Sequence, residues 1–372
     1  MQVKAAVLVE PGTMEMREFP KPEITDESIL LKVDACGVCG SDKHAYLGHS
    51  KLNFPLILGH EMAGTIEKLG TKAQDVMSVV GGPLAEGDRV VIVPSSQSCG
   101  KCYNCIHTPH RTALCTGRTV YGFTSCEEPP HLFGGFAEYM YIHPRSWVFK
   151  IPEAVQSRGI GVLAEPMAVA TRTVARSYGP GIPHIGEGYG IGKTIVVIGA
   201  GPIGLLVIAV LRGTGAGRII ATDLSDTRLE MARQMGATDV INASGSMEDR
   251  VQQVMDLTDG VGAEIVFECA GVPQAFKEGL ELAARGGKLI EVGHYTDPGS
   301  VDINPHLICK KDLDVLGVWA YPQIQFGIAL AALAQMQAPM EKLITQRLPL
   351  SETEAAIEML GQDGVLKVVI EP

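Results

Sequence analysis

Residues 34–44 read DACGVCGSDKH and residues 59–61 read GHE. Cys39 and His60 offer a thiolate and an imidazole, and a catalytic zinc takes three protein ligands of this kind while keeping one position open. Glu165, in the segment AEPMAVA, is a candidate for the third ligand, reaching across a cleft between two domains. Thiolate and carboxylate together neutralise a divalent ion. Glu61, next to His60, is an alternative or additional ligand, and Asp42 is a candidate to orient His60 through its other ring nitrogen. Cys36 precedes Cys39 by three residues, so the spacing alone leaves both cysteines open as ligands.

A second cluster is more conspicuous. Residues 98–115 read SCGKCYNCIHTPHRTALC: Cys99, Cys102 and Cys105 are each separated by two residues, and nine residues separate Cys105 from Cys115. Four thiolates leave no open position, which suits a closed structural zinc rather than a reactive one. Binding worth on the order of 10 kcal/mol in small zinc modules can order a loop that has little core of its own. His107 and His110 lie inside the last gap as competing fourth ligands, and we read the site as closing on Cys115.

A third pattern, IVVIGAGPIGLLVIAVLRGTGAGRIIATD, places Gly199, Gly201 and Gly204, with Pro202 and Ile203 between the last two, after an apolar strand and at the mouth of an apolar helix. Gly199 permits the tight turn, Gly201 lets a pyrophosphate approach the backbone, and Gly204 lets helix and strand pack closely. The helix N-terminus faces the phosphates with unpaired N–H groups. Asp223, 19 residues after Gly204, ends the next strand where a carboxylate can accept both hydroxyls of an adenine ribose. It would repel a 2′-phosphate, so NAD is expected over NADP. Arg228 tempers that expectation, because a nearby guanidinium offsets the repulsion.

These groups need a large scaffold, and 372 residues supply about two domains on a prior of roughly 100–200 residues each. The net charge is -11 with a pI near 5.4, and no Lys/Arg-rich run occurs, which excludes the electrostatic footprint of a nucleic-acid binder. The N-terminal MQVKAAVLVEPGTMEMREF lacks a signal peptide's apolar region, so a cytoplasmic protein without a membrane partner is expected. Nine cysteines with C-x2-C spacings favour metal thiolates over disulfides in a reducing compartment. Thr194–Leu211 runs 18 residues without a charge, but its cluster of Gly and Pro predicts a buried strand, a tight turn and a helix rather than a membrane span.

Residues 1–150 carry short β-rich runs, AAVLV, SILLKV, MAGTIEKLG and GDRVVIV, separated by Gly, Pro and Asp, and predict a barrel-like or sandwich-like β domain. After the Gly-rich segment 178–193, the runs TIVVIG, RIIATD, DVIN, EIVFECAG, KLIEVG and LDVLGVW alternate with helical patterns such as DTRLEMARQMG. That alternation predicts a parallel sheet with helices on both faces. The helix-like GIALAALAQMQ follows, and the terminal GVLKVVIEP is expected to return as a strand to the first domain.

GVCGSDKH, GHE, the four-cysteine lobe, EPMAVA, GAGPIG and Asp223 occur in this order over nearly the whole chain. In this the sequence resembles the zinc-dependent medium-chain dehydrogenase/reductases, the alcohol, polyol and threonine dehydrogenase superfamily. The resemblance implies an α/β fold: a GroES-like, mainly-β catalytic domain over 1–165 with a structural-zinc lobe at about 95–118, a Rossmann doubly wound parallel-sheet NAD-binding domain over 166–320, and a return to the catalytic domain over 321–372. It implies two zinc ions per chain and NAD. It gives the catalytic zinc to Cys39, His60 and Glu165, with Glu61 as alternate or additional ligand, and excludes Cys36. A glutamate at 165, where other alcohol dehydrogenases carry cysteine, looks like the polyol and threonine branch.

The resemblance also assigns a proton relay to Ser41 and His44. A serine hydroxyl accepts and donates in one step, and a histidine titrates near neutral pH and passes the proton to solvent. In this chemistry zinc lowers the alcohol pKa, hydride goes to the nicotinamide, and the proton leaves through the relay. Backbone near Val292–Gly293 and Val318 is implied to hold the nicotinamide. Leu47, Phe123 and Trp319 fall near pocket positions of relatives, which points to a bulky or cyclic secondary alcohol and its ketone. Polyol or L-threonine 3-dehydrogenase activity is the alternative, and a non-catalytic zinc-binding relative the alternative of another class. Relatives usually have seven residues between the third and fourth lobe cysteines, so the longer gap here reads as a bulge. Segments 71–88 and 178–192 also exceed the family pattern, and a homo-oligomer, dimer or tetramer, is implied.

Overall fold

The structure is a computed structural model that describes residues 1–95, 97–178 and 191–372, so the 178–192 segment lies almost wholly outside the described residues. The chain divides into two compact units. The first comprises Met1–Ala168, Tyr321–Gln335 and Glu341–Pro372, and the second Val169–Ala320 and Met336–Met340.

The hub of the first unit is the strand Ile29–Val38, whose near-continuous apolar run is buried on both faces. It pairs antiparallel with Glu61–Leu69, with Tyr139–Ile142 and with the C-terminal strand Lys367–Glu371. The chain's last strand is thus part of this sheet. The sheet continues through Arg89–Ile92 and Trp147–Lys150 to Ser78–Val80. Segment 71–88 is thus part of the architecture: it supplies helix Ala73–Val76 and the edge strand Ser78–Val80, which pairs parallel with Trp147–Lys150. Ile29, Leu31, Met62, Phe136, Met140 and Ile370 share one buried cluster beneath the hub strand.

The second unit is a six-stranded parallel sheet in the order Asp239–Asn242, Arg218–Asp223, Thr194–Ile198, Ala263–Glu268, Ala283–Glu291, Asp314–Gly317. All six predicted runs are strands. With the first strand central, this is the 3-2-1-4-5-6 order of a doubly wound sheet, which binds ligands beyond the strands' carboxyl ends. The uncharged stretch from Thr194 forms strand Thr194–Ile198, a turn, and helix Pro202–Gly213, as predicted. Among the described residues no helix is long and apolar enough to cross a membrane.

Candidate active site

Cys39 is the N-cap of the short helix Gly40–Tyr46, and Asp42 is that helix's third residue. Asp42 is wholly buried and both its oxygens are used. Oδ2 accepts the N–H of Cys39 at 2.8 Å, and Oδ1 accepts the N–H of Gly59 at 3.3 Å while lying 3.3 Å from His60 Nδ1. The Nδ1 contact is an ion-pair approach off the hydrogen-bond line. One carboxylate thus ties the backbone of Cys39 to the ring of His60. Burial pulls the imidazole's pKa down, but Asp42 and then Cys39 outweigh it and hold it well above its usual value. The ring packs on Phe123, with centroids 5.1 Å apart.

Donor atoms of Cys39, His60 and Glu61 converge within 4.8 Å of one another. Glu61 opens its strand opposite Gly37 of the hub strand, and Gly37 is also opposite Val369 on the other side. A Cβ on Gly37 would lie 2.0 Å from Glu61 Oε2, so only glycine leaves room for the carboxylate. Through the same gap Lys367, buried in the C-terminal strand, donates to Glu61 Oε1 at 2.7 Å and to the Val38 carbonyl at 3.1 Å. Burial lowers the lysine's pKa, and the charge of Glu61 more than restores it. Glu61 Oε2 is buried with no hydrogen-bond partner. A thiolate, an imidazole and an orphaned carboxylate oxygen facing one point fit a zinc ion.

Glu165, in the first turn of helix Ala164–Ser177, is outside this 4.8 Å group. Its Oε1 accepts the Tyr321 hydroxyl at 2.5 Å. Burial, with help from Glu61, pushes its carboxyl up to about 7. Cys36 also stands apart: its sulfur sits in the core where a Cβ on Gly135 or Gly59 would strike it, and burial raises its thiol well above the usual range. Ser41 Oγ lies 3.2 Å from His60 Nε2. His44 is one turn further along the same helix, and its Nδ1 is 3.1 Å from Nδ1 of His49. Leu47, just beyond that helix, is exposed.

Lys367 and Tyr321 escaped the sequence reading. For Lys367 there was a signal, a lone charge inside the apolar run VLKVVI. Tyr321 gave none.

In the lobe, the sulfurs of Cys99, Cys102, Cys105 and Cys115 form one group within 4.8 Å. His107 is outside it and packs on Tyr103 at 4.3 Å, and His110 is outside it as well. The short helix Tyr103–His107 turns Cys102 and Cys105 inward, and the Cys99 N–H reaches Cys115 Sγ at 3.2 Å. Backbone N–H groups of Cys105 and Thr116 bring the Cys102 thiol down to about 6, whereas burial and then Cys102 push Cys105 up to about 12. A bound cation would favour the thiolate of Cys105 against that upward push.

In the second unit Gly199 has φ +91°, and a Cβ there would collide with the backbone of Ala270. A Cβ on Gly204 would overlap the Gly199 carbonyl, while one on Gly201 would meet no protein atom, leaving open space above the turn. Gly201 caps the helix without a side-chain bond and Pro202 and Ile203 open it, so its N-terminal N–H groups face that space. Asp223 Oδ2 accepts the Ala200 N–H at 2.8 Å and Oδ1 the Ser225 N–H at 3.0 Å, which fixes the carboxylate beside the turn. Arg228 Nη1 is 4.0 Å from Asp223 Oδ2. The N–H groups of Val292 and Gly293 donate to the Glu268 carbonyl, and that of Val318 to the Glu291 carbonyl. Trp319 stacks on Tyr295 at 5.4 Å.

The sequence matches the alcohol dehydrogenase GroES-like domain over residues 25–153 and the zinc-binding dehydrogenase family over residues 202–335. It is 32% identical over 376 residues to a sorbitol dehydrogenase of Bacillus subtilis, covering 100% of this chain and 97% of that protein. It is likewise 32% identical over 376 residues to a 5-exo-hydroxycamphor dehydrogenase of Pseudomonas putida, covering 99% and 98%. A solved structure of a zinc-binding dehydrogenase from Sinorhizobium meliloti bound to NADP superposes with a TM-score of 0.86 at 29% identity, over 100% of both chains. Likeness over the full length, together with a GroES-like family match that spans the cysteine–histidine–glutamate group and a zinc-binding dehydrogenase match that starts at Pro202, makes the chain a member of the zinc-dependent medium-chain alcohol and polyol dehydrogenases, oxidoreductases that act on alcohols.

Proposed function

We propose that this protein oxidises a bulky or cyclic secondary alcohol to its ketone with NAD, in a reversible reaction. The observation that carries the reading is the single buried carboxylate of Asp42 holding both Cys39 and His60 beside the orphaned oxygen of Glu61. Cys39, His60 and Glu61 would hold the catalytic zinc, with Glu165 close by as the carboxylate that can exchange into the ligand set. When bound, the ion supplies Lewis-acid polarisation of the substrate oxygen, and NAD the hydride acceptor. Cys99, Cys102, Cys105 and Cys115 would hold a second, structural zinc.

The chain's own residues do the rest. Asp42 keeps the imidazole of His60 in one orientation. Ser41, already at 3.2 Å from that imidazole, takes the proton of the substrate hydroxyl while releasing its own. His44 receives it one turn further along the helix and passes it outward, to the neighbouring His49 or to water. Phe123 against His60 gives the site an apolar wall, which suits a ring or branched carbon skeleton better than a sugar chain. The resemblance to a hydroxycamphor dehydrogenase points the same way, and the equal resemblance to a sorbitol dehydrogenase supports a polyol as the second reading.

In the second unit Gly199, Gly201, Pro202, Ile203 and Gly204 would seat the pyrophosphate. Asp223 would take the adenine ribose, with Arg228 moderating the choice against NADP. Val292, Gly293 and Val318 would present their backbone to the nicotinamide; their N–H groups are engaged, and the Gly293 carbonyl also accepts the N–H of Tyr295. A cytoplasmic dimer or tetramer completes the reading, on the family resemblance and on thiols kept as metal ligands.

The test is a panel of cyclic, aliphatic and polyhydroxy alcohols with NAD and with NADP. Turnover of a cyclic secondary alcohol with NAD, lost in Cys39→Ser, is the expected result. A tenfold preference for NADP overturns the role of Asp223, and no turnover of any alcohol by the zinc-loaded protein overturns the enzyme reading.

A further inference from the structure

The strands Ala263–Glu268 and Ala283–Glu291 run parallel in a register that sets Glu268 directly opposite Glu291, at the carboxyl edge of the sheet. Like charges opposite one another on neighbouring strands are destabilising, and burial makes the repulsion worse. Yet Glu268 is wholly buried and Glu291 mostly so.

Each carboxylate is tied to its own loop by one oxygen. Glu268 Oε1 accepts the N–H groups of Ala270 and Gly271, both at 2.8 Å. Glu291 Oε1 accepts the N–H of His294 at 3.2 Å and lies 2.9 Å from its Nδ1. The other oxygen of each, Oε2, is buried and has no hydrogen-bond partner. Either a shared proton or a bound cation would relieve the repulsion between the two carboxylates. His294 closes the group, its Nδ1 lying 3.5 Å from Glu268 Oε2. A Cβ on Gly293 would lie 2.3 Å from that same oxygen, so glycine is required for the carboxylate and the imidazole to meet.

We propose that Glu268, Glu291 and His294 form a third metal site, binding one divalent cation across the ends of the two strands. Donor atoms of the three residues lie within 4.8 Å of one another. Two carboxylates cancel a charge of two, and an oxygen–oxygen–nitrogen set without sulfur selects Zn2+ or Mn2+ rather than a soft ion. Three protein ligands leave the remaining positions to water. The ion fastens the loop 292–296 to the sheet and does not depend on the dehydrogenase reading.

The test is metal stoichiometry of the full chain. Wild type, Glu291→Gln and His294→Ala are stripped with a chelator, reloaded with Zn2+ or Mn2+, and counted by plasma mass spectrometry after dialysis, with folding checked by circular dichroism. The proposal expects each variant to bind one equivalent less Zn2+ than wild type, and Mn2+ to be held by wild type alone. Equal counts in a folded variant overturn it and leave the carboxylates sharing a proton or paired with an imidazolium. If Glu291→Gln does not fold, His294→Ala decides, and paramagnetic resonance of wild type with Mn2+ decides independently: no bound-ion spectrum overturns the site. Cys39→Ser, counted alongside, reports the catalytic site separately.

Discussion

Asp42 and His60 are joined across 3.3 Å in the interior of the first unit, and the same aspartate holds the backbone of Cys39 at 2.8 Å. Two candidate ligands 21 positions apart in the chain are thereby set by one side chain, and their relative placement depends on its charge as well as its shape. Asp42→Asn keeps the shape and an acceptor but loses the charge that orients the imidazole. Zinc affinity at the Cys39 site is expected to fall by roughly 10-fold to 100-fold. Competition against a chromophoric chelator measures it, and unchanged affinity would show that the aspartate only caps the helix.

Lys367 and Glu61 form an ion pair removed from solvent on both sides. Removing one partner of such a pair costs about 3–5 kcal/mol, because the other charge is stranded, whereas replacing both is far milder. Lys367→Met should therefore destabilise the zinc-free protein by about that much, and Lys367→Met with Glu61→Gln by clearly less. Urea unfolding of the stripped protein gives both values. A double variant as unstable as the single one would contradict the pairing.

The proposed relay carries a pH signature. Burial, then the neighbouring charges of His49 and Lys43, lower the pKa of His44 below its usual 6.5. His44 must be neutral to take up a proton, so alcohol oxidation should lose rate only as the pH falls below that usual value. His49→Gln removes one of the groups that lower the pKa, so the acid limb of the kcat/KM profile should move to higher pH. His44→Gln should abolish that limb. An acid limb unchanged in His44→Gln would remove this histidine from the proton path.

Cys115 is the fourth sulfur of the lobe, and neither His107 nor His110 joins the group. Cys115→Ser is expected to lose one zinc equivalent and to open residues 95–118 to proteolysis, with cofactor binding retained. Full zinc occupancy in this variant would transfer the fourth position to one of the two histidines.

Much of this molecule was legible in the chain. Strand runs in the second unit announce themselves because parallel strands buried on both faces are continuous apolar segments. Glycine at 199 and 204 is legible because a Cβ at either would strike backbone, and glycine at 201 because it leaves the space above the turn open. The lobe is legible because its four cysteines are close in sequence. The carboxylates beside Cys39 were harder to rank. Sequence spacing named both Glu61 and Glu165, and the register of the hub strand, with Gly37 between Glu61 and Val369, is what brings Glu61 into the group and Lys367 to its other oxygen.

The sequence by itself determined the kinds of groups present and the local elements that carry them: cysteines at metal spacing, a glycine turn before a helix, and an acid at the end of the following strand. Only the tertiary structure decided which distant groups meet, Asp42 with His60, Lys367 with Glu61, Tyr321 with Glu165, and Glu268 with Glu291. The physical reason is that local pattern follows from backbone geometry over a few residues. Contacts between residues tens or hundreds of positions apart depend on strand register, and a shift of one residue there turns every side chain to the opposite face.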